Sequence, residues 1–252
     1  MDNFIMVLDT ETISIDKRFV YDIGYIVAKL ENGKYIPIEK NQVIVENVYD
    51  NRELFETSYY ANKRKKYTTM LRLKRAEKMK IGYITQKLAY VLKRYGIENI
   101  FAYNSPFDKQ VFKFNTEYYK LQNPFENSNW LDIQAIANTF IHQDIKYMEF
   151  VKENKMIGES GYIKTNAEAT YAFLTNNPEY IEEHTSLQDC EIELDILNEC
   201  IKRGYDMKEN YKQKYITAEN IVQTLRIIKN EKTYEFKYKT KRNTKRGIVL
   251  KD

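Results

Sequence analysis

Cysteine, proline, glycine and histidine are all scarce in this chain, and each shortage excludes something. Only 2 cysteines occur in 252 residues. Cys190 and Cys200 stand ten positions apart within one helical pattern, about 15 Å along a helix, whereas a disulfide needs roughly 4.4–6.8 Å between Cα atoms. A disulfide framework is therefore excluded, and both thiols are expected to be buried in a reducing compartment. Four prolines and 8 glycines leave no room for a collagen-like or loop-dominated architecture. No apolar run approaches the roughly 20 residues of a membrane span. The N-terminus lacks a basic region followed by an apolar stretch and a cleavage site, so a cytoplasmic location without membrane association is expected. The chain is rich in Lys, Asn, Ile and Tyr, as in AT-rich coding sequences, which points to a low-GC bacterium or a phage-infected host.

What remains describes an ordinary globular chain. Hydrophobic residues make up 43% and charged residues 30%, and 22 tyrosines raise the aromatic share to 14%. That supply suits a well-filled core and also surfaces on which bases can stack. The net charge of +4 and isoelectric point near 8.7 are compatible with a polyanionic partner without establishing one.

The pattern opens with strands. Phe4 to Leu8 is a continuous apolar run ending in Asp9, as expected for the centre of a sheet covered on both faces. Tyr21 to Leu30 and Tyr35 to Val45 are β-rich and joined by Asn32-Gly33, a two-residue hairpin signal. Helical spacing follows in Ile84, Leu88, Val91, Leu92 and Tyr95, with Gly96 as the stop. Asn99 to Tyr103 reads as a short strand, and Phe107, Val111, Phe114 and Tyr118 as the next helical stripe. A helix capped by Asp132 is expected over Leu131 to Ile141, and a long one from Thr185 to Arg203 with Cys190, Leu194, Leu197 and Ile201 inward.

Charge is uneven. Nine basic residues between Asn62 and Lys80 face one acid, Glu77. Nine more lie between Lys229 and Asp252 against three acids, and there Tyr234, Phe236 and Tyr238 alternate with charged residues at strand spacing. Both stretches are candidates for gripping a phosphate backbone, the second with aromatic stacking, or for docking a polymerase or another replication or repair subunit. A boundary near Tyr205 divides a main domain, residues 1–205, from a basic helix/strand extension, residues 206–252.

Three acidic motifs carry the chemistry. Asp9 and Glu11 are two apart at a strand end, so both carboxylates point to one side. Such a pair repels itself unless a cation intervenes, and Mg²⁺ or Mn²⁺ favours oxygen ligands. Asp108 follows Asn104-Ser105-Pro106-Phe107 where a strand gives way to a helix; that position also suits a helix cap. His184, one of only 2 histidines, precedes Asp189 by five residues. Asp189 lies at the edge of an apolar helical face, where an unpaired carboxylate is costly. The other histidine, His142, has no partner motif and is expected as an ordinary surface or helix-end residue. Trp130 is expected in the core.

In order and spacing these motifs, Asp9-x-Glu11-Thr12, Asn104-x-x-Phe107-Asp108 and His184-x4-Asp189, resemble those of the DEDDh 3′→5′ exonuclease superfamily. Tyr21-Asp22-Ile23-Gly24-Tyr25-Ile26 is similar to the family's second strand, and the likeness covers residues 3 to 203. The related tyrosine branch has Tyr four residues before the last Asp, where this chain has Thr185. The resemblance implies an α/β, ribonuclease H-like mixed central sheet flanked by helices. It further implies two Mg²⁺ or Mn²⁺ ions held by Asp9, Glu11, Asp108 and Asp189, with Asp9 bridging. His184 would be the base that takes a proton from the attacking water. The implied activity is removal of nucleoside 5′-monophosphates from a single-stranded 3′ end, DNA being favoured over RNA. Thr12, Asn104 and Phe107 are implied near the terminal nucleotide. The rivals are an exoribonuclease with the same chemistry and a non-catalytic nucleic-acid-binding adaptor on the same fold.

Overall fold

In the computed structural model, residues 3–159, 161–209, 211–212, 236–239 and 247–250 are described, the last two groups by their backbone. The chain divides into two compact units: residues 1–133 with 182–198, and residues 134–181 with the chain from 199.

The first unit is built on a mixed sheet. Strand β1 (Phe4–Thr12) carries the apolar run Ile5 to Leu8, every side chain of which is fully buried. A strand apolar on both faces has to be covered on both, and β1 lies inside the sheet. It pairs antiparallel with β2 (Val20–Glu31), which pairs antiparallel with β3 (Lys34–Val45). Asn32 and Gly33 turn the β2–β3 hairpin with φ of 51° and 80°. Both central residues at positive φ give the turn whose twist matches the flanking strands.

Short helices α1 (Glu46–Tyr49), α2 (Arg52–Glu56) and α3 (Arg64–Arg72) follow. Phe55 and Tyr67 meet Tyr21 of β2, and Tyr49 meets Phe55, in edge-on ring contacts, and the four form a second core with Ile13 and Ile44. The basic segment is thus anchored by Tyr67. Arg64 lies over the Tyr49 and Phe55 rings, and Lys78 pairs with Asp50, whereas Lys65, Arg72, Lys74 and Arg75 are exposed.

Strand β4 (Glu77–Met79) joins the sheet edge parallel to β3 and leads into α4 (Ile81–Tyr95). Gly96, at φ 63°, ends α4 as its pattern predicts. Strand β5 (Asn99–Ala102) runs parallel to β1, helix α5 (Ser105–Tyr118) follows, and β6 (Asn129–Asp132) runs parallel to β5. The sheet order is β4-β3-β2-β1-β5-β6. Met6 and Leu8 share one core with Ile84, Leu88 and Val91 of α4 and Val111 and Phe112 of α5, and Trp130 packs against it.

One element differs from expectation. The helix expected from Leu131 starts later, as α6 (Ile133–Phe140), because Asn129 to Asp132 pairs with Asn99 to Ala102. Local helical spacing could not reveal that long-range ladder. Asp132 ends the strand, and its Oδ1 accepts the Asn104 N–H at 2.9 Å.

The second unit contains α7 (Ile145–Glu153) and α8 (Ala167–Leu174). His142 is fully buried here, which corrects the surface placement expected for it. Its Nδ1 meets Asn138 Oδ1 at 3.0 Å and its Nε2 meets Thr170 Oγ1 at 2.8 Å. Burial pushes its pKa down to about 3, so the ring stays neutral and structural. The long helix α9 (Ser186–Lys202) buries both thiols, neither in a disulfide. Of the basic extension, strands β7 (Phe236–Lys239) and β8 (Gly247–Leu250) pair antiparallel. Tyr234 and most of its basic residues lie outside the described residues.

Candidate metal centre

The site assembles where β1 ends. Asp9 and Glu11 leave the strand on one face, opposite Gly24 and Asp22 of β2 in the antiparallel register. Opposed residues in such a ladder point to the same face, and that face carries the start of α9. An added Cβ on Gly24 would lie 2.3 Å from the Ser186 carbonyl carbon and 2.4 Å from the Leu187 nitrogen. The absent side chain is what admits α9 to the sheet beside Asp9.

Asp22 fixes the start of that helix. It is fully buried, and its Oδ2 accepts from the Ser186 N–H at 3.2 Å and from Gln42 Nε2 at 2.8 Å. An acid accepting a first-turn N–H satisfies one of the orphan donors of a helix N-terminus. One turn later α9 presents Asp189, 5% exposed.

Asp108 arrives from α5. Asn104 begins that helix in a left-handed conformation, φ 61°, which Asn tolerates better than most residues. Ser105-Pro106 then opens the first turn, where Asp108 is 2% exposed. Thr10, alternate to Asp9 and Glu11 on β1, donates to Asp108 Oδ1 at 2.7 Å. The chain thus brings together all four acids singled out from the motifs.

Their electrostatics disfavour the ionised forms, and Lys63 offsets this only in part, at Glu11 and Asp189. Burial, then Asp189 and Asp108, push the Asp9 carboxyl well above the usual carboxylate range. Burial and Asp22 push Glu11 up to about 8; burial pushes Asp108 to about 7; burial, Glu182 and Glu11 push Asp189 to about 9. The Asp189 Oδ1 atom is buried without a hydrogen-bond partner. Ligand atoms of Glu11, His184 and Asp189 lie within 4.8 Å of one another. A set of inward oxygens with an unmatched acceptor fits a hard divalent cation.

His184 stands at this cluster with a backbone φ of 49°. Its ring stacks on Tyr60, centroids 5.0 Å apart, and its Nδ1 lies 3.5 Å from Glu182 Oε2. Lys63 Nζ sits 3.7 Å over the Tyr60 ring and donates to the carbonyls of Glu183 and His184 at 2.8 and 3.1 Å. Lys66 pairs with Glu183. The first part of the basic segment therefore holds the histidine loop.

The secondary candidates divide. Thr12 follows a register shift in β1 and donates to the Ser14 carbonyl at 3.2 Å. Phe107 is half-buried against the core, and Asn104 is exposed. Six contributors went unrecognised in the sequence: Thr10, Asp22, Tyr60, Lys63, Glu182 and Glu193. Asp22 had a signal, an acid inside an apolar strand, as did Glu193, four residues beyond Asp189 on one helix. Tyr60 and Lys63 had none for this role, because the histidine loop they hold lies more than 100 residues away.

No family model and no curated protein sequence matches the chain. Solved structures do. Exonuclease I of E. coli in complex with a 5cy-dT13 oligonucleotide superposes with a TM-score of 0.50 at 13% identity, over 81% of this chain and 41% of that one. E. coli Exonuclease I in complex with a dA16 oligonucleotide gives 0.50 at 12% identity, over 80% and 41%. A structure of apo Exonuclease I gives 0.50 at 11% identity, over 81% and 43%. The chain spans less than half the length of these proteins. Their likeness shows the fold: a mixed six-stranded α/β sheet flanked by helices, of the ribonuclease H-like kind found in Exonuclease I.

Proposed function

We propose that this chain is a divalent-metal-dependent 3′→5′ exonuclease of the DEDDh type, acting on single-stranded DNA. The observation that carries the reading is the gathering of Glu11, His184 and Asp189, with ligand atoms within 4.8 Å of one another, beside Asp9 and Asp108, where burial and mutual repulsion disfavour ionised carboxylates. Similarity of fold to Exonuclease I, solved with DNA oligonucleotides, supports the substrate class.

Two Mg²⁺ or Mn²⁺ ions, when bound, supply Lewis acidity and offset the charge that builds on the reacting phosphate. Asp9, Glu11, Asp108 and Asp189 would hold them. Thr10 keeps Asp108 in its orientation. Glu182 orients the His184 ring through Nδ1, leaving Nε2 to take the proton from the attacking water. Water attacks phosphorus and the bond from phosphorus to the 3′ oxygen breaks. A nucleoside 5′-monophosphate leaves, and the shortened strand regains a 3′ hydroxyl by protonation. Thr12, Asn104 and Phe107 border the path of the terminal nucleotide, and exposed Lys65, Arg72, Lys74 and Arg75 offer phosphate contacts farther along the strand.

The test uses end-labelled single-stranded DNA, duplex DNA and RNA with Mg²⁺, Mn²⁺ or chelator. The expected result is stepwise shortening of single-stranded DNA from its 3′ end with either metal. Faster turnover of RNA would transfer the chemistry to an exoribonuclease, and no turnover of any substrate would contradict enzymatic function.

A further inference from the structure

Glu193 lies four residues beyond Asp189 on α9, so the two side chains share one helix face. It is 2% exposed. One hydrogen bond reaches its carboxylate, from the Tyr103 amide just past β5, and its Oε2 atom is buried with no partner. The charged groups acting most strongly on it, Asp108, Asp189 and Glu182, are all acidic, and it acts in turn on Asp9.

As an anion, Oε2 has no donor and faces the like charges of Asp108 and Asp189. A buried polar atom left in that condition is destabilising, and a purely structural role calls for a neutral side chain of similar size. Among the described residues, the unmatched Oε2 of Glu193 and Oδ1 of Asp189 are both on this stretch of α9.

We propose that Glu193 is a fifth carboxylate of the metal centre, its Oε2 holding, directly or across one water, the cation faced by Asp9, Asp108 and Asp189. The proposal rests on the metal-dependent reading above. A fifth negative charge strengthens cation binding before any phosphate arrives, so the free protein holds its metal more tightly than four acids would allow.

Mn²⁺ titration followed by electron paramagnetic resonance and calorimetry tests this in the wild type, Glu193→Gln and Glu193→Met, with far-UV circular dichroism as the check on folding. Glu193→Gln retains an acceptor for the Tyr103 amide. The expected result is a folded variant whose tightest Mn²⁺ site is weakened by roughly ten- to a hundredfold, with Glu193→Met weakened at least as much. Mn²⁺ isotherms of folded Glu193→Gln that superimpose on the wild type overturn the proposal and leave the four-acid centre standing. Should Glu193→Met fail to fold, the Gln isotherm alone decides. A wild type that binds no Mn²⁺ overturns both readings.

Discussion

Gly24→Ala is the substitution through which the fold's support of the site can be tested with least chemical disturbance. The added Cβ would meet α9 backbone at 2.3–2.4 Å, where ordinary contact begins at 3.4 Å. Backbone cannot rotate aside as a side chain can, so α9 must withdraw by about 1 Å in an interior packed to crystal-like density. Overpacking of this kind costs roughly 1–3 kcal/mol, which for a chain of this size lowers Tm by about 2–12 °C. The consequence for activity is larger in proportion. Asp189 rides on α9 and His184 lies just before it, whereas Asp9 and Glu11 stay on the sheet. A 1 Å misplacement of reacting groups costs on the order of a hundredfold in rate. Differential scanning calorimetry and the rate of 3′-terminal release from labelled single-stranded DNA measure the two effects. A variant within 2 °C of the wild type (about 1 kcal/mol or less) that degrades DNA at the wild-type rate would refute the claim that Gly24 sets the approach of α9.

Three further outcomes follow from the site's geometry. In chelator, stability should fall as pH rises from about 4 to about 9. Asp108, Glu11 and Asp189, at about 7, 8 and 9, keep protons that the unfolded chain has lost, and each retained proton gives a slope of about 1.4 kcal/mol per pH unit. Saturating Mg²⁺ should flatten that slope, and a pH-independent melting temperature in chelator would contradict it. Thr10→Val removes the 2.7 Å bond to buried Asp108 and should cost about 1–3 kcal/mol in chemical denaturation; an unchanged midpoint would show that the bond contributes nothing. Lys63→Met releases the carbonyls of Glu183 and His184 and should lower kcat by roughly ten- to a hundredfold with little change in KM. A rise in KM alone would instead assign Lys63 to substrate binding.

How legible the site was depended on the range of the forces that made it. The apolar run before Asp9, the Asn32-Gly33 turn and the Gly96 stop are local signals, and each element formed where its residues direct. Asp9, Glu11, Asp108 and Asp189 were readable because each sits at the end of such an element. Leu131 and Asp132 were misassigned because their strand state comes from pairing with Phe101 and Ala102, and His142 because its burial comes from Asn138 and Thr170. The grip of Lys63 on the histidine loop joins residues 120 and 121 positions apart, beyond any periodicity. Gly24 was visible only as part of a strand resembling that of a known family. Its function as a gap for α9 is a property of the packed structure.

The most direct measurement is cleavage of 5′-labelled single-stranded DNA by the wild type and by Asp9→Ala, in Mn²⁺ and in chelator, resolved to single nucleotides. A ladder shortening from the 3′ end with Mn²⁺, abolished by chelator and by Asp9→Ala, is the predicted result. A ladder that persists in chelator, or one that Asp9→Ala produces as fast as the wild type, would contradict a metal-dependent nuclease centred on Asp9.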